Sequence, residues 1–211
     1  MTEASGLVQE QSATKFVVGL GNPERRYEGT RHNVGFAVLA ALRQRWEFGP
    51  AKEKFHSLIC TGRVRLAQVV LAAPQTYMNR SGLAVAELMS FYKLQPSDVL
   101  IVLDDLALPP GRLRARADGS AGGHNGLADI IQAVGTDAIP RVRVGIGPPP
   151  PQVDQVAYVL GRFSPQEEPV MLEAIAQAAS AVEDWAEHGI TYVMTHYNRD
   201  AGSSAAGAAN Q

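Results

Sequence analysis

The stretch KFVVGLGNPERRYEGTRHNVGFAVLAALRQRW, residues 15–46, decides the reading of the fold. Lys15 to Gly21 is a short apolar run of strand character, and Asn33 to Trp46 carries apolar residues at helical spacing after a polar loop. That is a β-loop-α opening. The glycines invite a dinucleotide reading, but GxGxxG is incomplete and Pro23 stands where its helix should begin. The loop places polar groups where a strand gives way, and ligand sites in α/β sheets collect at such edges.

Working outward, two β-rich runs, Ser57 to Gly62 and Val64 to Ala72, flank a short turn, and Ser81 to Lys93 follows as an amphipathic helix. Val99 to Leu103 is an apolar run ending abruptly at Asp104-Asp105, which reads as a buried strand whose carboxylates emerge at its C-terminal end. Pro109-Pro110-Gly111 breaks the chain before an Arg-rich strand candidate, Arg112 to Ala117, and a glycine-rich loop, Gly119 to Gly126. A helix is expected from near Asn125, a strand over Arg141 to Ile146, and an exposed extended connection over Pro148 to Pro151. Ser164-Pro165-Gln166-Glu167 combines a capping box with Pro at a first helical position, and Met171, Ile175, Ala178, Val182 and Trp185 mark one buried stripe. Strands alternating with helices predict an α/β sheet covered on both faces. Residues 1–14 and 200–211 are small, polar and of low complexity, so they are expected to be flexible tails on one domain spanning 15–199.

The 211 residues, 45% hydrophobic, suit one domain with a real core. The net charge of -2 by itself points to no polyanionic partner, but its distribution is uneven. Ser164 to Gly189 holds six acidic residues and no Lys or Arg, leaving 19 basic against 15 acidic side chains elsewhere. A polyanion could meet a locally basic face; a solvated acidic helix explains the asymmetry equally well. Cys60 is the only cysteine, which excludes an intrachain disulfide and a cysteine-built metal site. No secretory signal and no stretch of membrane-spanning length is present, so a soluble cytoplasmic protein with no membrane partner is expected.

Four separate segments are rich in amides, imidazoles and carboxylates: Asn22 with Tyr27 and His32, Tyr77-Met78-Asn79, Asp104-Asp105, and Gly122-Gly-His124-Asn125-Gly126. Taken singly, each has a structural reading as a helix cap, a solvated strand end or a flexible turn. Together they point to a polar site with a general base. A metal centre is less persuasive, because His32 and His124 lack a ligand spacing such as HExxH.

The segments VVGLGNP, TRHNVGF, TYMNRSG, DDLALPPGRLR, GSAGGHNGL and RVRVGIG resemble, in order and over most of Phe16 to Asn198, those of the bacterial peptidyl-tRNA hydrolases. The resemblance implies a single α/β domain with a twisted mixed sheet between helices, acting as a monomer on peptidyl-tRNA without cofactor, metal or obligatory protein partner. His32 then matches the catalytic base, Asp104 its supporting carboxylate and Asn22 a residue that tells blocked from free aminoacyl-tRNA. Tyr27, Tyr77, Met78, Asn79 and Asn125 match the substrate-contacting region. Two positions depart from the family pattern: Glu24 and Asp118 stand where glycine is usual. Glu24 is expected to alter the mouth of the site or its backbone.

On this reading His32 deprotonates a water, a task suited to imidazole with its reference pKa of about 6.5, and Asp104 fixes its tautomer and stabilises the imidazolium. Arg114, Arg116 and Arg143, with Arg112 and Arg141 as weaker candidates, could form basic stripes for tRNA phosphates, since alternate strand residues point the same way. Their alternative is solvated edge-strand arginines. Two rival functions stay open: a non-catalytic RNA-binding protein on the same fold, and a small-substrate esterase or amidase using the same base.

Overall fold

In the computed structural model, which describes residues 14–65 and 67–198, strand β1 (Lys15–Gly19) runs through the middle of the sheet. Its side chains alternate between two cores, Val17 towards one and Phe16 and Val18 towards the other, as period-2 geometry requires. Parallel to it lie β4 (Ala67–Pro74) and β5 (Val99–Asp105), and β7 (Arg141–Gly145) is parallel to β5. Antiparallel strands close both sides: β2 (Lys52–Lys54) and β3 (Ser57–Val64) beyond β4, and β6 (Leu113–Arg116) beyond β7. The order is β2-β3-β4-β1-β5-β7-β6. It is a mixed α/β sheet.

Helices α1 (Val34–Arg45), α5 (Glu168–His188) and α6 (Ile190–Tyr197) bury their apolar sides in the core containing Val17, Leu100 and Val102. Helices α2 (Ser81–Tyr92) and α3 (Asn125–Val134) cover the opposite core, around Val18, Ile101 and Leu103. A sixth, short helix, α4 (Gln155–Val159), follows the prolines 148–151, which are irregular as expected. Strand β2 and helices α4 and α6 were not foreseen, being three, five and eight residues long and weak in periodicity. The proposed tails lie outside the described residues.

Helix α1 approaches the sheet closely because its first turn contains Gly35. A Cβ there would fall 2.5 Å from the Val102 carbonyl oxygen, and one on Gly19 would collide with the Gly35 carbonyl. The motif glycines thus serve helix-on-strand contact, and the contact brings the start of α1 over the end of β5.

The capping box before α5 is present: Ser164 N–H donates to Glu167 Oε2 at 2.7 Å and Glu167 N–H to Ser164 Oγ at 3.4 Å. Regular helix begins later than the box alone implied, at Glu168, with Pro169 in its first turn. Of the expected stripe, Met171, Ala178, Val182 and Trp185 are buried and Ile175 packs at the core margin. The acidic stretch is largely paired within the fold: Glu167 with Arg31, Glu183 with Arg45 and Trp46, Glu187 with Arg65, and Asp184 with Tyr197.

Candidate active site

The short 3-10 turn Arg31–Asn33, leading into α1, carries His32 to the carboxyl end of β5. There His32 Nδ1 lies 2.8 Å from Asp104 Oδ1. Asp104 is 3% exposed, and a second imidazole, His124 Nε2, reaches the same oxygen at 3.0 Å. Burial favours the neutral acid, but the hydrogen bonds of His124 and His32, with their Coulombic attraction, outweigh it and hold this carboxyl well below the usual range. An ionised carboxylate only accepts, so both facing nitrogens carry hydrogen. In the neutral imidazole this puts the lone pair on His32 Nε2, and His32 lines a cleft of about 270 Å³ together with Asn125, Arg143 and Val156.

His32, Asp104 and His124 also form the one three-residue cluster of metal-ligand chemistry among the described residues. Two donors on a tetrahedral ion with bonds of about 2.0 Å sit roughly 3.3 Å apart. The observed 2.8 and 3.0 Å are hydrogen-bond lengths, and an ion would have to replace both hydrogens and spread the groups.

Asn22, 6% exposed, ties loops together. Its Oδ1 accepts from Met78 N–H at 2.9 Å, while Asn33 holds its main chain through Asn22 N–H to Asn33 Oδ1 at 2.9 Å and Asn33 Nδ2 to Asn22 O at 3.0 Å. With Oδ1 occupied, the amide hydrogens are the part of Asn22 available to a ligand. Met78 is buried at 5% exposure, its sulfur beside Gly126, where an added Cβ would fall 2.5 Å away. Asn79, in the 3-10 turn Met78–Arg80 that precedes α2, and Asn125, the first residue of α3, are exposed, and Tyr27 is half-buried.

Tyr77 is 48% exposed and donates its hydroxyl to Glu24, which is also paired with Arg26 Nε at 2.9 Å. The Tyr77 hydrogen bond, opposed by desolvation and assisted by Arg26, lowers the Glu24 carboxyl pKa. Glu24 takes an ordinary extended conformation, φ -70° and ψ 141°, so the departure from glycine demands no special backbone. What it adds is a carboxylate bridging two loops at the mouth.

The arginines divide. Arg114 stands opposite Arg143 and Arg116 opposite Arg141 across the antiparallel β6–β7 pair, so all four side chains leave one face. Arg116 is exposed and Arg114 half-buried, while Arg143 is ion-paired to Asp105. Arg141 does not belong to a phosphate-binding surface. It is 2% exposed and donates to Gly119 O at 2.5 Å and Asp137 O at 2.8 Å, pinning the glycine-rich loop. Burial pulls its pKa down, opposed by Asp137 and by Asp118, the other departure from the family pattern. Arg112 reaches back to Asn198 O at 3.0 Å.

Sequence reasoning named His124 within its glycine-rich segment but gave it no role, and gave none to Arg31. Arg31 is 8% exposed, donates to both Glu167 oxygens at 3.1 and 2.8 Å and to Arg162 O at 2.6 Å, and lies over the Tyr158 ring at 4.3 Å. Its position next to His32 was the available signal.

Residues 16–205 match the family described as peptidyl-tRNA hydrolase. The peptidyl-tRNA hydrolase of Brevibacillus brevis is 44% identical over 184 residues, 87% of this chain and 97% of that protein. That of Chloroflexus aggregans is 47% identical over 183 residues, 86% and 97% of the two chains. A crystal structure of peptidyl-tRNA hydrolase from Acinetobacter baumannii aligns with a TM-score of 0.82 at 36% identity, over 88% of this chain and 94% of that one. The Arabidopsis thaliana 5'-methylthioadenosine nucleosidase, with a TM-score of 0.52 and 7% identity, shares the fold alone. Six motifs in order, a mixed sheet with an imidazole–carboxylate pair at its carboxyl edge, and these matches over most of the chain lead to one conclusion: the chain belongs to the peptidyl-tRNA hydrolase family.

Proposed function

We propose that this chain hydrolyses the ester between an N-blocked peptide, or an N-acyl-amino acid, and the 3'-terminal ribose of tRNA, and so recycles tRNA from prematurely released peptidyl-tRNA. The observation that carries the reading is the 2.8 Å His32–Asp104 pair, which in the neutral imidazole leaves Nε2 unprotonated beside a cleft that Asn125 and Arg143 also line. His32 Nε2 takes a proton from a water as its oxygen adds to the ester carbonyl. The tetrahedral intermediate then expels the ribose oxygen, which receives that proton from the imidazolium. Peptide acid and a free ribose hydroxyl result, and no covalent enzyme intermediate is needed.

Asp104 holds the Nδ1–H tautomer and stabilises the imidazolium, while amide donors of Asn22, Asn79 and Asn125 serve the peptide and the developing oxyanion. A blocked amine is neutral. A free α-amino group, with a reference pKa of about 7.7 to 8, is often charged and must lose hydration to enter, which disfavours ordinary aminoacyl-tRNA. Tyr27 and Tyr77 belong to the mouth, with Met78 supporting the wall between them, and Arg114, Arg116 and Arg143 meet the tRNA. The chain works as a monomer in the compartment of translation, with neither cofactor nor protein partner.

The test is release of N-acetyl-amino acid from N-acetyl-aminoacyl-tRNA in excess chelator, beside an unblocked control and a His32→Ala variant. Blocked substrate should be cleaved by the wild type alone. Binding of tRNA without cleavage would favour the RNA-binding rival, and equal cleavage of an N-acetyl-aminoacyl nucleoside would favour a small-substrate esterase. Inactivation by chelator, reversed by one divalent metal, would overturn metal-independent chemistry.

A further inference from the structure

We infer that His124 is a positioning residue: its Nε2–H holds the Asp104 carboxylate in the orientation from which that group accepts the His32 Nδ1–H, so the second imidazole acts through Asp104. The inference rests on the hydrolytic reading above and concerns a residue given no role in it.

Both imidazoles converge on one oxygen, Oδ1, at 2.8 and 3.0 Å, with ring centroids 5.0 Å apart and planes tilted by 49°. A carboxylate with one donor can turn about its Cβ–Cγ bond and offer either oxygen. Two donors on the same oxygen select one rotamer. The donors are unequal in a useful way, because His32 changes protonation in every turnover whereas His124 is fixed from outside. His124 is the N-cap of α3, and its Nδ1 accepts Leu127 N–H at 3.2 Å. An Nδ1 that accepts has no hydrogen, so the proton of the neutral ring lies on Nε2, facing Asp104.

Helix geometry therefore dictates the tautomer that the carboxylate needs. The side chain is 8% exposed, which keeps water from competing for either bond. Gly126 leaves the room, since an added Cβ would fall 3.2 Å from His124 Cε1. The arrangement also places the N-terminal end of a ten-residue helix behind the ring, with a dipole that favours a nearby anion.

The two ring nitrogens do different jobs, and two substitutions separate them. Asn offers an amide oxygen about where Nδ1 sits and is a good N-cap, but cannot reach Asp104. Gln places an amide N–H about as far out as Nε2 and is a poor cap. His124→Asn should keep thermal stability and lose kcat roughly 10- to 100-fold with KM little changed, the range for a lost hydrogen bond to a charged group. His124→Gln should melt lower yet keep kcat within about threefold. In an Asp104→Asn background, His124→Asn should change kcat by less than about threefold, because the group it acts through has lost its charge.

Activity on N-acetyl-aminoacyl-tRNA that follows melting temperature, with Asn tolerated and Gln not, would reduce His124 to a helix cap and overturn the inference. Additive losses in the double variant would do so too. Failure of the wild type to cleave that substrate at all would instead overturn the hydrolytic reading.

Discussion

Asp104 and Asp105 are adjacent, chemically identical and oppositely placed. Successive side chains of β5 point to opposite faces, so Asp104 turns under the two imidazoles while Asp105 pairs with Arg143 and accepts Ala107 N–H at 2.8 Å. Asp104→Asn is expected to slow single-turnover hydrolysis at least about 100-fold with little change in tRNA affinity, and Asp105→Asn to be mild. The reverse order of effects would move the supporting carboxylate. Acid stability gives a second check on the same group. Because its pKa in the folded chain is depressed, Asp104 contributes stability that is present above the unfolded value near 3.9 and is lost as pH falls below it towards the folded value. Urea unfolding should show the wild type losing about 1 kcal/mol more than Asp104→Asn between pH 5 and pH 3. Equal losses would mean that the carboxylate is not held ionised.

At the scale of elements, the turn that bears His32 is anchored on both sides. Gly35 lets α1 lie against β1 and β5, and Arg31, one residue before His32, fastens the turn to the segment that starts α5. Arg31 N–H also donates to Gly161 O at 2.9 Å. Breaking a partly buried ion pair on one side strands the other charge, at a cost of about 3 kcal/mol. Arg31→Met should therefore lower stability by that order and lower kcat as the His32 turn loosens. Combining it with Glu167→Leu should recover part of the stability, because both charges then leave together. Fully additive losses in denaturant titrations would show that the two side chains do not act as a pair.

Across the whole molecule, charge is sorted by the sheet. Arginines on the α1 side meet the acidic stretch of α5, whereas the four on β6 and β7 leave the other face without that cover. The sheet edge itself is closed by a side chain: Asn198 Oδ1 accepts Ala115 N–H at 2.7 Å and Asn198 Nδ2 donates to Ala115 O at 2.9 Å, in place of a further strand. Arg114→Ala with Arg116→Ala should weaken tRNA binding and reduce the salt slope by about one unit per lost phosphate contact, leaving the hydrolytic step unchanged. Arg141→Ala should instead lower stability and loosen the loop held at Gly119, with no specific change of slope. An unchanged slope in the double variant would remove β6 from the tRNA face.

The sequence by itself determined the strand-loop-helix alternation and the placement of polar motifs at strand ends, because hydrophobic period, proline and glycine act locally, while the choice of His32 and Asp104 came from the resemblance of its motifs to the family. It also marked the capping box before α5, whose two bonds span three residues. What lay beyond it was every pairing across distance. That His124 shares an oxygen with His32, that Arg141 is buried while Arg116 is not, and that Arg31 reaches Glu167 over 136 positions depend on strand order and helix contact. An arginine in an alternating strand looks the same in sequence whether α3 and its loop cover it or water does. Only the tertiary structure decides, because desolvation and hydrogen bonding are set by what packs against a side chain and not by its neighbours along the chain.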